Sequence, residues 1–325
     1  MPYFWQEVDT SCFQLAKVVP HAAVNKLLTS ALSLGILFIA VIALAFSPIF
    51  TKFAETELTP ASIIFNRLWI ATAIVASWQL INAPVEPAPT RAIDRSRELV
   101  LLVSASLCAT ISALLWAMSF THTSVASSTV LRSLTPLFIS LGAWLILKQN
   151  FDRQFIIGMT LSIIGATAIG WDDLQLGTDL LIGDGIALVS AALHGANLLI
   201  VGYLRDRGCT TDRVLFWRCG CGALMVLPAI YLAGDGILPM SRSAWLSIVA
   251  LAVVCQTFGQ GLLVYSLKQF SSSFVGVFAL LKPLITALLA WTIFSEEISL
   301  INGAALILIL TGIYLANKSN SAVTG

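Results

Sequence analysis

The chain has 325 residues, of which 58% are hydrophobic and 11% charged, with a net charge of +1 and a mean hydropathy of +0.89. A soluble domain carries about 25% charged residues, so this composition excludes an ordinary globular chain. The near-zero charge names no polyanionic partner, and no basic run points to nucleic acid.

Residues 1–26 are polar and include Glu7 and Asp9. They lack the basic start, apolar block and small-residue cleavage site of a secretory signal, so they read as a cytoplasmic tail. Phe4, Trp5, Phe13, Leu15 and Lys17 leave room there for a short interfacial helix.

Ten apolar stretches follow, at about 28–51, 60–82, 98–120, 124–147, 154–171, 180–204, 212–233, 244–267, 271–294 and 299–316. A stretch of roughly 20 residues crosses about 30 Å of hydrocarbon as a helix. The alternating pattern of a membrane β-barrel is absent. The expected fold class is an all-α integral membrane protein of ten transmembrane helices.

The fourth and ninth spans are related in sequence. Residues 135–147 and 282–294 are identical at six of thirteen positions, including Pro136 with Pro283 and Trp144 with Trp291. The same offset of 147 aligns Leu99 with Leu246, Thr110 with Thr257, Ser119 with Ser266, Ser124 with Ser271 and Gly165 with Gly312. An offset of 151 aligns Thr59, Phe65 and Arg67 with Thr210, Phe216 and Arg218. The difference falls in the Pro-rich connection 83–97, where an insertion costs little. The expected organisation is a first repeat over 27–171, a second over 180–317 and a cytoplasmic tail over 318–325. Five helices per repeat is an odd number, so the second enters the membrane inverted. Inverted repeats are a signature of carriers that open alternately to either side.

Basic residues outside the spans set the orientation. With the N-terminus inside, the inner segments hold twelve of them and the outer segments only Lys52 and Arg242. Both termini are therefore expected in the cytoplasm, in a plasma (inner) membrane. Cys108, Cys219, Cys221 and Cys255 fall inside spans, while Cys12 and Cys209 fall in segments placed in the reducing cytoplasm. No C-x-x-C occurs, so neither a disulfide framework nor a zinc site is expected, and no cofactor is called for.

An Arg early in the second span (Phe65, Asn66, Arg67, Leu68), Pro136 and Pro283 anchoring the fourth and ninth spans, and Glu296 after the ninth form a set. Together they resemble the drug/metabolite transporter superfamily, in its ten-helix EamA type, over about 28–317. The resemblance implies a secondary carrier, often an exporter of metabolites or amino acids. One departure stands out: many members place a Glu directly before the Pro of the ninth helix, where this chain has Lys282.

Arg67, Arg132, Arg218 and Lys282 lie inside spans, and the carboxylate nearest them is Asp184 at the outer edge of the sixth. A charge at mid-bilayer costs at least about 2.5–3.5 kcal/mol on insertion scales. Snorkelling, or bracing of helix-end carbonyls, accounts for the arginines as well as substrate binding does. Lys282 lies near the midplane beside Pro283, where snorkelling is hardest, and is read as facing substrate. His194 with Asn197, and Gln256 with Gln260, share helix faces and suit either helix pairing or a cavity wall lined also by Trp116 and Tyr265. The ridge Gly183, Ala187, Ala191, Gly195 reads as close helix packing. Trp78, Trp144, Trp171, Trp245 and Trp291 read as interfacial anchors.

No P-loop sequence occurs, and the three histidines are too scattered for a metal motif or a base–nucleophile pair. An enzyme is therefore disfavoured, while a channel or a sensor remains open as the alternative to a carrier. The expected function is secondary transport, with export favoured, of a small metabolite that carries an anionic or zwitterionic group. The expected partners are that solute and the lipid bilayer.

Overall fold

The computed structural model describes residues 21–81, 94–123, 125–169, 181–234, 236–294 and 300–322. Among them lie ten helical units and no strand. These are α1 (His21–Ala45, continued by Ser47–Ala54), α2 (Pro60–Ile81), α3 (Arg95–Ser119), α4 (Val125–Arg132 and Thr135–Leu147) and α5 (Arg153–Ile169). Then come α6 (Leu181–Asp206), α7 (Thr211–Ala233), α8 (Arg242–Ala250, Leu251–Gly259 and Gln260–Ser266), α9 (Ser272–Phe278 and Leu281–Phe294) and α10 (Leu300–Lys318). Units α1 to α4 and α6 to α8 are long and apolar enough to cross a membrane. The helix α5 has 17 residues, at the short end of what spans. The N-terminal residues 1–20, Trp171 and the acidic outer segments 172–179 and 295–299 lie outside the described residues.

Local chemistry starts and stops the helices. Thr210, Ser241 and Ser271 each accept the N–H three residues on, and Asp152 accepts that of Phe155 at 2.7 Å, all as N-caps. Gly234 ends α7 at a φ of +68°, a left-handed conformation that favours glycine. The breaks inside α4 and α9 both precede a proline. Pro136 and Pro283 supply no N–H to the carbonyls of Arg132 and Ala279, four residues back. The Thr135 hydroxyl donates to the first at 2.7 Å, and the Lys282 N–H to the second at 3.0 Å. Sequence reading placed both prolines as anchors but not the interruptions beside them.

Helix α1 breaks at Phe46, just before Pro48. The carbonyl of Ala45 accepts from Thr286 of α9 at 2.9 Å, and that of Ala43 from the Cys255 thiol at 3.1 Å. Inside a bilayer such side chains replace the water that would otherwise satisfy an irregular backbone.

Packing between helices follows the repeat. The pair α1 with α8 has its mate in α6 with α3, α1 with α9 in α6 with α4, and α2 with α8 in α7 with α3. The pairs α2 with α7, α4 with α9 and α5 with α10 are their own mates. At the last of these Gly158 faces the backbone of Gly312, and Gly165 that of Ala305. Subtracting 158 from 305, or 165 from 312, gives 147, so one contact is the image of the other. The two helices run antiparallel about a local two-fold axis. Beside the axis, the Ser162 hydroxyl donates to the carbonyl of Ile309 at 3.4 Å, again 147 residues on.

The small-residue ridge of α6 packs as expected. Ala187 and Ala191 are fully buried, Gly183 lies against the backbone of His122 and Thr123, and Gly195 against Phe138 and Ile139. Trp78 and Trp144 are more than half exposed, as interfacial anchors require.

The C-terminal segment is not a free tail over its described length. Ser271 donates from its N–H to the carbonyl of Ala322 at 2.9 Å and from its hydroxyl to that of Ser321 at 2.7 Å. The Ser319 hydroxyl reaches Asp152 at 2.9 Å. The chain end thus ties the α4–α5 connection to the start of α9.

Short polar ties also close the two ends of the bundle. At one end Glu57 accepts the N–H groups of Met240 and Ser241 at 3.0 and 3.1 Å, where α8 begins. Hydrogen bonds from Ser241 and Met240 hold its carboxyl below the usual carboxylate range. That tie is complete above the ordinary range and is lost as the pH falls through the lowered value. At another end Glu98 of α3 pairs with Arg213 of α7 at 3.2 Å and accepts from the Cys209 thiol at 3.3 Å. Burial, followed by the bond to Glu98, pushes that thiol up to about 12.

Candidate functional site

Four helices bring the intramembrane cations together. Arg67 comes from α2, Arg132 from the end of the first part of α4, Arg218 from α7 and Lys282 from the start of the second part of α9. Arg67, Arg132 and Lys282 lie within electrostatic reach of one another, and Arg218 within reach of Arg67. His194 of α6 lies within electrostatic reach of Arg132, Lys282 and Arg218. Both Arg132 and Lys282 flank the break before a proline, Arg132 ending the first part of α4 and Lys282 starting the second part of α9 just after Leu281.

The four cations differ in what holds them. Arg132 is the most fully occupied. Its guanidinium donates to the hydroxyls of Ser190 and, at 3.3 Å, Ser112, and it lies 4.7 Å from the centre of the Trp116 ring. Those two serines clasp α3 to α6, since each hydroxyl donates to the other's carbonyl at 2.8 Å. Arg218 donates to Gln260 at 3.0 Å, while its own carbonyl accepts from Ser106 at 2.9 Å. These partners are neutral side chains rather than the helix-end carbonyls that the bracing alternative called for.

Arg67 and Lys282 are less engaged. The Nε of Arg67 is buried without a hydrogen-bond partner among the described residues. No side-chain partner is found there for Lys282 either, whose backbone N–H is spent on Ala279. No carboxylate of the described residues acts on any of the four. Asp184 instead accepts from Thr123 at 2.7 Å, at the far end of α6.

Helix α8 presents its polar residues from a π-helical segment, Leu251–Gly259, in which the Thr257 hydroxyl donates to the carbonyl of Ala252 five residues back at 2.9 Å. Such segments occur often at functional sites, because the extra residue re-aims the side chains around it. Gln256 donates to the Cys219 thiol at 3.4 Å, next to the Arg218 that Gln260 accepts from. Both amides therefore turn to α7. Gly259, at the end of the segment, lies against Ala43 and Leu44 of α1.

A small cavity opens beside this cluster, lined by Arg67, Thr110, Ala113, Arg218 and Gln256 among others. Asn197 is fully buried, and neither atom of its amide has a partner among the described residues. The indole N–H of Trp116 is likewise buried without one. An unpaired buried amide or indole is costly, about 1–3 kcal/mol, and is a ready donor or acceptor for a ligand.

The structure thus gathers Lys282, His194, Trp116, Gln256, Gln260, Arg67, Arg132 and Arg218 in one region. Tyr265 does not join them: it is 39% exposed, and no hydrogen bond or ring contact among the described residues links it to the cluster. It follows Gln260 by five residues in the regular helix Gln260–Ser266, which turns it to a different face from the amide that meets Arg218. Ser112, Ser190 and Thr110 were missed in the sequence, because a lone hydroxyl in an apolar helix gives no periodic signal.

A family model described as the EamA-like transporter family matches residues 31–171 and again 181–318. An uncharacterized transporter from Methanothermobacter thermautotrophicus is 22% identical over 232 residues, which is 69% of this chain and 65% of that protein. The chain thus spans just under two thirds of that relative. An uncharacterized transporter from Archaeoglobus fulgidus is 22% identical over 278 residues, covering 82% of this chain and 91% of the relative. A solved crystal structure of a protein superimposes with a TM-score of 0.75 at 15% identity, over 88% of this chain and 96% of that one. That likeness concerns the fold.

Proposed function

Because the chain belongs to the EamA-like transporter family, we propose that it is a secondary active carrier that exports a small anionic or zwitterionic metabolite by alternating access. The observation that carries the charge of the cargo is the convergence of four intramembrane cations on which no described carboxylate acts. In a site with little water each cation is worth more to an anion than it is at a surface. Lys282 and Arg67 contact the anionic group. Arg132, held by Ser112, Ser190 and Trp116, sets the potential around it. His194, Asn197 and Trp116 offer polar contacts for the remainder of the solute, and Arg218, held by Gln260, braces α7 against α8. The mirrored helix pairs support alternating access, since either half can rock against the other about the shared axis.

The membrane in this reading is the plasma (inner) membrane, with both termini cytoplasmic. Cysteines introduced at Gly177 and Gln149 of a Cys-free variant should label with an impermeant reagent from outside and from inside respectively, and the reverse pattern would sink the topology. The cargo is tested by comparing the metabolites of cells with and without the protein. An anionic or zwitterionic compound is expected to collect outside the expressing cells. Export confined to cationic compounds would contradict the proposal.

A further inference from the structure

We infer that this carrier is an exchanger: its core passes between the two faces of the membrane only with an anion bound, so one anion leaves only as another enters. The inference rests on the carrier reading above and adds how transport is coupled.

The observation is a charge imbalance. The apolar spans hold Arg67, Arg132, Arg218 and Lys282, and their acidic residues stand only at or near span ends, as Glu98, Asp184 and Asp212 do. The structure commits Glu98 to Arg213 and the Cys209 thiol, and Asp184 to Thr123. Neither is left to neutralise the core. The serines, Trp116 and Gln260 that hold Arg132 and Arg218 are neutral. They replace water as hydrogen-bond partners but leave the charges in place.

This matters at one stage of the cycle. While the core is open to either side, water and salt screen the cluster. When both sides are closed, as alternation requires, screening is lost and the like charges repel across a medium of low dielectric. Arg67 and Lys282 feel this most, because among the described residues no hydrogen-bond partner is found for the Nε of Arg67 or for the ammonium group of Lys282. An anion between them removes the repulsion and fills the unpaired donors. The loaded carrier therefore turns over readily and the empty one does not. Removing the equivalent of one mid-bilayer charge penalty corresponds to a rate ratio on the order of a hundred-fold.

The test uses the full chain reconstituted in lipid vesicles, with the membrane potential clamped at zero. The vesicles are loaded with the anionic fraction of a cell extract, uniformly labelled with carbon-13. Outside is either the same fraction unlabelled, or a polymeric anion too large for the cavity at matched ionic strength. Labelled anions should leave on the order of a hundred times faster into the unlabelled fraction than into the polymer. Equal rates into both media would overturn the exchange while leaving the carrier reading intact. No release into either medium, with protein-free vesicles as the baseline, would contradict the carrier reading and the exchange with it.

Discussion

Replacing Lys282 by Gln is expected to cut transport at least about tenfold while leaving the yield of folded protein close to that of the parent. No described side chain depends on the Lys282 ammonium group, so its removal orphans no structural partner. It sits instead among Arg67, Arg132 and His194, where losing one positive charge relieves repulsion in the empty protein. The loss is felt only when an anion is bound, and a hydrogen bond to a charged group is worth about 1.5–3 kcal/mol, or roughly ten- to a hundred-fold. Lys282→Arg keeps the charge in another shape and should retain part of the activity. Tracer flux in vesicles, set beside the monodisperse yield in detergent, separates the two effects. Full activity in Lys282→Gln would make Lys282 a bystander.

Gly312→Val is expected to do the opposite, lowering the folded yield severely whatever solute is offered. A side chain at Gly312 would run into the carbonyl of Gly158 and the backbone of Ser162, and the facing Gly158 lies just as close, its added carbon 2.5 Å from the Gly312 carbonyl and 2.7 Å from the Ala316 nitrogen. Backbone cannot move aside as a side chain can, so α5 and α10 must part. Overpacking of this kind costs about 1–3 kcal/mol or more, and because the contact joins one helix of each repeat both repeats lose it together. Gly185→Ala, on α6, is the control: nothing lies within 4 Å of the added carbon. Thermal unfolding in micelles should show a lowered midpoint for Gly312→Val and no loss for Gly185→Ala. Equal behaviour of the two would mean that the axis is not a tight seam.

The helices and their pairing were legible because the physics behind them is repetitive. Long apolar stretches must be helices in lipid, and the offset of 147 that joins Pro136 to Pro283 also relates Gly158 to Ala305 and Gly165 to Gly312. The gathering of Arg67, Arg132, Arg218 and Lys282 was foreshadowed by their cost in a membrane. What the sequence concealed was local. The breaks before Pro136 and Pro283 depend on whether neighbouring groups can take up the freed carbonyls, and the π-helical segment of α8 leaves no mark in composition. Gln256 lies within it and Gln260 just after it, and both meet α7, while Tyr265, five residues past Gln260, turns to another face. The serine clasp between Ser112 and Ser190 arises from register between helices 78 residues apart, which no single-helix pattern encodes. The docking of residues 319–322 was hidden because a short polar chain end reads as solvated.

Counterflow decides whether this cluster of cations carries an anionic group across the membrane. Vesicles holding the full chain are loaded with an unlabelled anionic or zwitterionic metabolite that accumulates outside expressing cells, and a trace of the same compound, labelled, is added outside. Label should accumulate transiently inside above its outside concentration, other anions should compete where matched cations do not, and the overshoot should fall at least about tenfold in Lys282→Gln. Label that merely equilibrates, with an equal rate in the variant or competition by cations alone, would contradict this role of the cluster.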